Sequence, residues 1–269
     1  MALSPYQVSV LRILAARRKA GGESYVVGGV APNQVLETPR LSHDIDLFHD
    51  TTEALAHSWA EDRLALSSVG YAVDVIRESP SFVEALVAHK GECVLVQWAR
   101  DSAYRFFPLI EDTQLGLTLH PLDLATNKAL ALVGRLEPRD WVDMLECHAR
   151  LQPLGYLLWA ACGKDPGYSP DFLVGSAARQ RYAQPELDSL AFDGPSPSAS
   201  TLGHSWKKAV GEAREIISAL PSEKAGFCVL AQNGNPFSGS FDELRIAVDQ
   251  NSLLFHPGQI GGVLPTIRQ

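Results

Sequence analysis

The chain opens with apolar residues at helical spacing. Val8, Leu11, Ile13 and Leu14 are set among polar neighbours, which predicts an amphipathic helix with those four inward. Ser4 is placed to cap that helix and Pro5 suits its first turn. A short apolar strand at 24–27 then ends at Gly28-Gly29. The stretch VAPNQVLE reads as a short helix, with Val30 and Val35 as its apolar contacts, and TPRLSH as a polar turn. Over 44–48 the pattern switches to strict alternation. Ile45 and Leu47 face one way and Asp44, Asp46 and Phe48 the other, as in a half-buried strand. Residues 51–68 predict a helix capped by Thr51 or Thr52, with Glu53, Glu61 and Asp62 on its wet side. YAVDVIRE reads as a strand, and FVEALVAHK and ECVLVQWAR as a hairpin turning at Gly91.

Near residue 120 the pattern changes to consecutive helices. PLDLATNKALALVGR and PRDWVDMLECHARL are separated at Leu136-Glu137-Pro138, with Pro138 at a first helical position. A third helix is expected over 154–162, ending at Gly163. Helical pieces follow near 171–182 and 185–190, and DGPSPSAST reads as the clearest linker. A last helix is expected over 204–220, with an irregular end after it and no internal repeat. The expected organisation is a mixed-sheet α/β (α+β) domain at 1–118 followed by a helical domain at 119–269.

Composition narrows the function classes. The chain has 269 residues, 46% of them hydrophobic and 20% charged, which is ordinary globular usage and excludes global disorder. No apolar run is long enough to span a bilayer. The N-terminal segment has its charges after its apolar part, unlike a secretion signal, so a reducing cytoplasmic setting is expected. Cys93, Cys147, Cys162 and Cys228 form no CxxC pair, and Cys147-His148 lack further ligands nearby, so buried structural roles are expected. A net charge of −8 argues against a protein that coats nucleic acid. The basic clusters at Arg17-Arg18-Lys19, Arg179/Arg181 and Lys207-Lys208 read as solvated patches.

Two short segments carry chemistry. Asp44 and Asp46 stand two apart on a strand and project from one face. Oxygen ligands so placed can hold hard cations that bridge nucleotide phosphates. Gly28-Gly29 has no side chains to obstruct its backbone N–H groups, so a phosphate can come close. Arg40 can neutralise a phosphate, and Ser42 can hydrogen-bond one or merely close its turn. A lone DxD or a lone Gly-Gly is commonly a strand end or a turn. The combined layout of strand, Gly-Gly, helix, turn and DxD is far more specific.

That layout resembles the DNA polymerase beta nucleotidyltransferase superfamily, and within it the AbiEii/AbiGii-type toxin branch that includes the MenT toxins. YVVGGVAPNQVLETPRLSHDIDLF is similar to the opening motif of the branch. HPLDLATNKALALVGRLEPRDWVDMLE is similar to its second block, in which a helix with a lysine precedes one opening on Arg-Asp-x-x-Asp. Here those residues are Lys128, Arg139, Asp140 and Asp143. The resemblance covers roughly residues 23–150. It implies transfer of a nucleoside monophosphate from an NTP to an acceptor hydroxyl. It further implies Mg²⁺ on Asp44 and Asp46, Gly28 and Gly29 around phosphate, and Lys128 on the nucleotide. Asp140, and with it Asp143, would orient Lys128 or activate the acceptor. The acceptor implied is tRNA and the partner an antitoxin protein.

Physical reasoning on the second block leaves two readings. Asp140 and Asp143 share a helix face and Lys128 lies on the preceding helix, so the three can form a phosphate site or a structural ion pair. The sequence also departs from the superfamily, which carries a third carboxylate on a neighbouring strand. Here Gln97 stands in VLVQW where an acid is expected. An amide binds divalent metal more weakly and cannot act as a general base. Asp74 and Asp101 are the substitutes to be examined. The rival functions are a non-catalytic nucleotide-binding or interaction module and a nucleotidyltransferase that modifies a protein or small molecule.

Overall fold

The computed structural model describes residues 3–22 and 24–267. The side chains at 16, 17 and 19–21 are outside that description, so Arg17 and Lys19 of the expected solvated cluster lie outside the described residues, while Arg18, expected in water with them, is 3% exposed and paired with Asp62. The chain divides into two compact units. One comprises Met1–Ala103 with Leu109–His120, the other Tyr104–Pro108 with Pro121–Gln269.

The first unit runs α1 (Pro5–Gly21), β1 (Ser24–Val27), α2 (Val30–Val35), β2 (Asp44–His49), α3 (Thr52–Ser68), β3 (Ala72–Ser79), β4 (Phe82–His89) and β5 (Glu92–Arg100). After β6 (Tyr104–Arg105), which belongs to the second unit, it closes with β7 (Ile110–Asp112) and β8 (Gly116–Thr118). Ser4 caps α1 through a reciprocal box with Gln7. Thr51 caps α3 by accepting from the Ala54 N–H. The strands form one mixed sheet in the order β3-β4-β5-β2-β1-β8-β7. The pairs β2–β5 and β1–β8 are parallel, and the remaining pairs are antiparallel.

One face of this sheet is the core. Ile45, Leu47, Val83, Ala85, Val87, Val96 and Trp98 are buried there, as are Val10, Leu11 and Leu14 of α1 and Leu55, Trp59 and Leu66 of α3. Each such aliphatic side chain is worth about 1.5–3 kcal/mol when fully buried. Two expectations need correction. In α1, Val10 joins Leu11 and Leu14 in the core, while Val8 and Ile13 are half-buried. Asp62, expected on the wet side of α3, is 2% exposed. It accepts from Arg18 Nη2 and from Trp98 Nε1, both at 2.9 Å. Arg18 Nε donates in turn to Ser24 Oγ. The cause is a partner far away in sequence: an aspartate is buried only when a buried cation and a donor meet it.

The second unit contains α4 (Pro121–Arg135), α5 (Pro138–Arg150), α6 (Leu154–Ala161), α7 (Pro170–Ala177), α8 (Gln184–Asp188) and α9 (Ala199–Ala219). Its end, expected to be irregular, holds β9 (Cys228–Ala231), α10 (Phe241–Asp249), β10 (Leu253–His256) and β11 (Gln259–Ile260). β9 pairs with β10, and β11 with β6. DGPSPSAST does not link separate bodies. Ser196 hydrogen-bonds Asp188, Gln184 holds the Pro197 carbonyl and the Ala199 N–H, and Ser198 caps α9, which starts earlier than expected. Cys147, Cys162 and Cys228 are buried free thiols and Cys93 is exposed. Arg179, Arg181, Lys207 and Lys208 are exposed, with Lys208 loosely paired to Glu212 one helical turn on. Among the described residues, no helix is long and apolar enough to cross a membrane.

Candidate functional site

In the first unit the structure brings Gly28, Gly29, Arg40, Ser42, Asp44 and Asp46 together. β1 and β2 are antiparallel with Val27 opposite Asp46, so the chain leaving β1 turns directly beside the two aspartates. At that turn Gly28 has φ +65°, a left-handed conformation that side chains resist. A Cβ added there would lie 1.6 Å from Asp46 Oδ2, so the carboxylate occupies the space a side chain would need. A Cβ at Gly29 would lie 2.6 Å from both Arg40 Nη2 and Ser42 Oγ. Gly28 is therefore required by what is folded onto it, while a side chain at Gly29 would have to displace the ends of Arg40 and Ser42.

The loop carrying Arg40 and Ser42 is clamped from two sides. Asn33, fully buried in α2, donates from Nδ2 to the Arg40 carbonyl at 2.8 Å and accepts from Thr38 Oγ1. Gln7 of α1 donates from Nε2 to the Ser42 carbonyl at 2.7 Å. Sequence reasoning missed Gln7, Asn33 and Thr38; Asn33 lies shortly after Gly-Gly, but nothing local pointed to Thr38 or to Gln7 on α1. Arg40 is buried, and its Nη1 donates to the Leu41 carbonyl. Ser42 Oγ donates to Asp44 Oδ1 at 2.7 Å. His43 is exposed.

Asp44 and Asp46 are half-buried on the face opposite Ile45 and Leu47. The register carries that face outward across the sheet. Asp46 pairs with Gln97 on β5, Gln97 with Glu84 on β4, and Glu84 with Arg77 on β3. Gln97 Nε2 donates to Glu84 Oε1 at 2.8 Å. Glu84 is thus a carboxylate on the aspartate face that sequence reasoning did not identify. Asp74 shares the face, but it sits in the row of Asp44, Leu95 and Leu86, three strands from Asp44. At about 4.8 Å per strand that is roughly 14 Å. Asp101 lies past the other end of β2, where its N–H donates to the His49 carbonyl. Neither stands beside Asp44 and Asp46. Among the described residues, no group of three or more His, Cys, Asp or Glu side chains is arranged to hold a metal ion.

At the far end of β2, His49 is fully buried. Burial is the main cause that pushes its pKa down to about 4, and the nearby Arg18 charge adds to it. His49 is therefore neutral at pH 7, with Nδ1 donating to the Ala99 carbonyl at 3.3 Å.

In the second unit the structure brings Lys128, Asp140 and Asp143 together. Lys128 Nζ lies 2.9 Å from Asp140 Oδ1 and 2.8 Å from Asp143 Oδ2. The lysine side chain is 7% exposed and the aspartates 0% and 2%. Arg135 Nη2, mostly in water, reaches Asp140 Oδ1 at 3.2 Å. Asp140 Oδ2 is buried with no hydrogen-bond partner. Cys147 is one turn beyond Asp143, and burial, followed by the Asp143 charge, pushes its thiol up to about 12, so it stays protonated. A second buried pair was not anticipated: Lys164 Nζ lies 2.8 Å from Asp123 Oδ1 and also donates to Asn127 Oδ1. Asp123 accepts from the Phe106 and Phe107 N–H groups, fixing the β6 segment against α4.

No family model matches the sequence. No curated protein sequence matches it either. Solved structures do. A proposed nucleotidyltransferase from H. pylori superposes with TM-score 0.53 at 14% identity, over 81% of this chain and 99% of that one. JHP933 from Helicobacter pylori superposes with TM-score 0.50 at 13% identity, over 78% and 91%. MenT4, a nucleotidyltransferase toxin from Mycobacterium tuberculosis, gives TM-score 0.49 at 15% identity, over 80% and 84%. At such identities the likeness is one of fold, and by the first two of these structures and the mixed sheet described above this chain has the nucleotidyltransferase fold.

Proposed function

We propose that the chain transfers a nucleoside monophosphate from an NTP to an acceptor hydroxyl, with its phosphate and metal site at Gly28-Gly29, Arg40, Ser42, Asp44 and Asp46. The observation that carries this reading is the fit of Asp46 against Gly28, where the carboxylate fills the place of a side chain. A turn that merely reversed the chain would need no such clearance beneath an acid.

The donor set suits Mg²⁺, which takes one or two carboxylates and completes its shell with water and phosphate oxygens. When bound there, the ion would neutralise phosphate charge and orient the triphosphate. Asp44 and Asp46 would hold it from one sheet face, and Ser42 fixes the carboxylate of Asp44 through its hydroxyl. The backbone of Gly28 and Gly29 would receive a phosphate, and the buried Arg40 guanidinium lends positive charge beside Gly29. Lys128 is held by two carboxylates, which fits an oriented nucleotide contact only with those acids as its orienting groups.

A tRNA acceptor, an antitoxin partner and a cytoplasmic setting complete the reading, as the toxin-branch motifs imply. The test is incubation with each labelled NTP, Mg²⁺ and total RNA, in parallel with a protein extract and small alcohols. Label should enter one acceptor class, and Asp44→Asn and Asp46→Asn should each abolish it without lowering the melting temperature. Transfer that survives both substitutions would refute the site. Tight NTP binding without transfer to any acceptor would favour a binding module.

A further inference from the structure

Gln97 stands where the fold's third carboxylate is expected, and its surroundings assign it a role. Its Nε2 donates to Glu84 Oε1 at 2.8 Å. An ionised carboxylate only accepts, so the NH₂ end of the amide faces Glu84 and the carbonyl end faces away. In the row Glu84, Gln97, Asp46, the neighbour on the side away from Glu84 is Asp46. Distance decides between the two side chains. Strands lie about 4.8 Å apart, so Glu84 starts two strands, roughly 10 Å, from Asp46, while a bound Mg²⁺ lies about 2.1 Å from its ligands. Gln97 is only one strand away.

We propose that Glu84 is a positioning residue that fixes the Gln97 carboxamide so that its oxygen serves, as a neutral ligand, a divalent cation held by Asp44 and Asp46. The inference rests on the metal site proposed above. It replaces the missing acid with an amide oxygen and moves the negative charge one strand outward. The cation keeps an oxygen donor at that corner but loses a charge from its first shell. Metal affinity at this corner is then governed by a residue that does not touch the metal. Partners of this kind typically change metal affinity 10- to 100-fold when removed. A structural Glu84–Gln97 contact on a half-buried face would leave metal affinity alone.

The experiment is titration of the full chain with Mn²⁺ alone, reading free Mn²⁺ by electron paramagnetic resonance, with thermal melts as a check on folding. Glu84→Ala should weaken Mn²⁺ binding roughly tenfold. Gln97→Ala should weaken it by a similar factor, and the double variant should be no weaker than Gln97→Ala, because Glu84 acts only through Gln97. The exchange Glu84→Gln with Gln97→Glu gives a carboxylate at 97 oriented by an amide at 84, and should bind at least as tightly as the native chain. Gln97→Glu alone, with two carboxylates abutting, should not. Unchanged affinity in Glu84→Ala, multiplying losses in the double variant, or weak binding by the exchanged pair would each overturn the proposal. Asp46→Asn separates the two readings. If it abolishes Mn²⁺ binding while Glu84→Ala does nothing, only this inference fails. If Asp46→Asn binds like the native chain, the metal site itself is wrong.

Discussion

Lys128→Ala distinguishes a buried charge cluster from a surface ion pair. The lysine ammonium is packed against both Asp140 and Asp143 and is itself out of water, whereas the Arg135 side chain that reaches Asp140 is 52% exposed. Removing it takes a close cationic partner from two carboxylates that are 0% and 2% exposed. An exposed pair contributes about 0.2–1 kcal/mol, whereas breaking a buried pair from one side costs about 3–5 kcal/mol. At about 2–4 °C per kcal/mol for units of this size, the melting temperature should fall by roughly 6–20 °C. Urea unfolding monitored by tryptophan fluorescence would report it, because Trp141 is adjacent to Asp140 and packs against Trp206. The neutral triple variant Lys128→Met, Asp140→Asn, Asp143→Asn should recover most of the loss, since replacing all buried charges is far less costly than orphaning some. A loss below about 1 kcal/mol in Lys128→Ala would refute the burial argument. Nucleotide affinity of the variant has meaning only well below its unfolding midpoint.

Gly28→Ala should cost about 2 kcal/mol or more, because a left-handed φ of +65° alone costs about 1–2 kcal/mol for an L-residue and the new Cβ displaces Asp46. Mn²⁺ titration and melting together check it, and normal values of both would sink the argument. His49 gives a pH dependence: its native pKa of about 4 lies below the unfolded value of 6.5, so between them the unfolded chain binds a proton that the native chain does not. Stability should therefore fall as pH drops from 6.5 to 4, by up to about 3 kcal/mol, and His49→Gln should flatten that slope in urea melts. Asp62→Ala should cost about 3–5 kcal/mol by stranding buried Arg18, and a surface-like loss below 0.5 kcal/mol would contradict the structure.

The first unit was legible because its local signals agree. The alternation at 44–48, the glycines after a four-residue apolar strand and the caps at Ser4 and Thr51 each act over a few residues. The chain beyond Leu220 was not legible for the opposite reason. β9, β10 and β11 span four, four and two residues and pair with strands distant in sequence, so alternation has no length over which to show. Asp62 failed in the same way. A charged residue in a helical pattern is assigned to water unless its buried counter-charge is known, and its partner Arg18 lies 44 positions away in sequence. Lys128 was legible because Asp140 and Asp143 follow it closely on the next helix.

Glu84 is the instructive omission, because the information for it was present. Lys90 and Gly91 turn the β4–β5 hairpin in two residues, both with positive φ, so the partners on either side follow by counting. His89 opposes Glu92, and stepping equally along both strands sets Glu84 opposite Gln97. The period of two then places both on the face away from Val83, Ala85, Val96 and Trp98. β2 joins β5 in parallel with Asp46 opposite Gln97, which no local signal fixes, and that one long-range pairing puts the glutamine beside the aspartates. A search for the missing acid along β5 alone stops at Gln97. Counting one strand further finds Glu84, and the hydrogen bond between the two side chains couples it to Gln97.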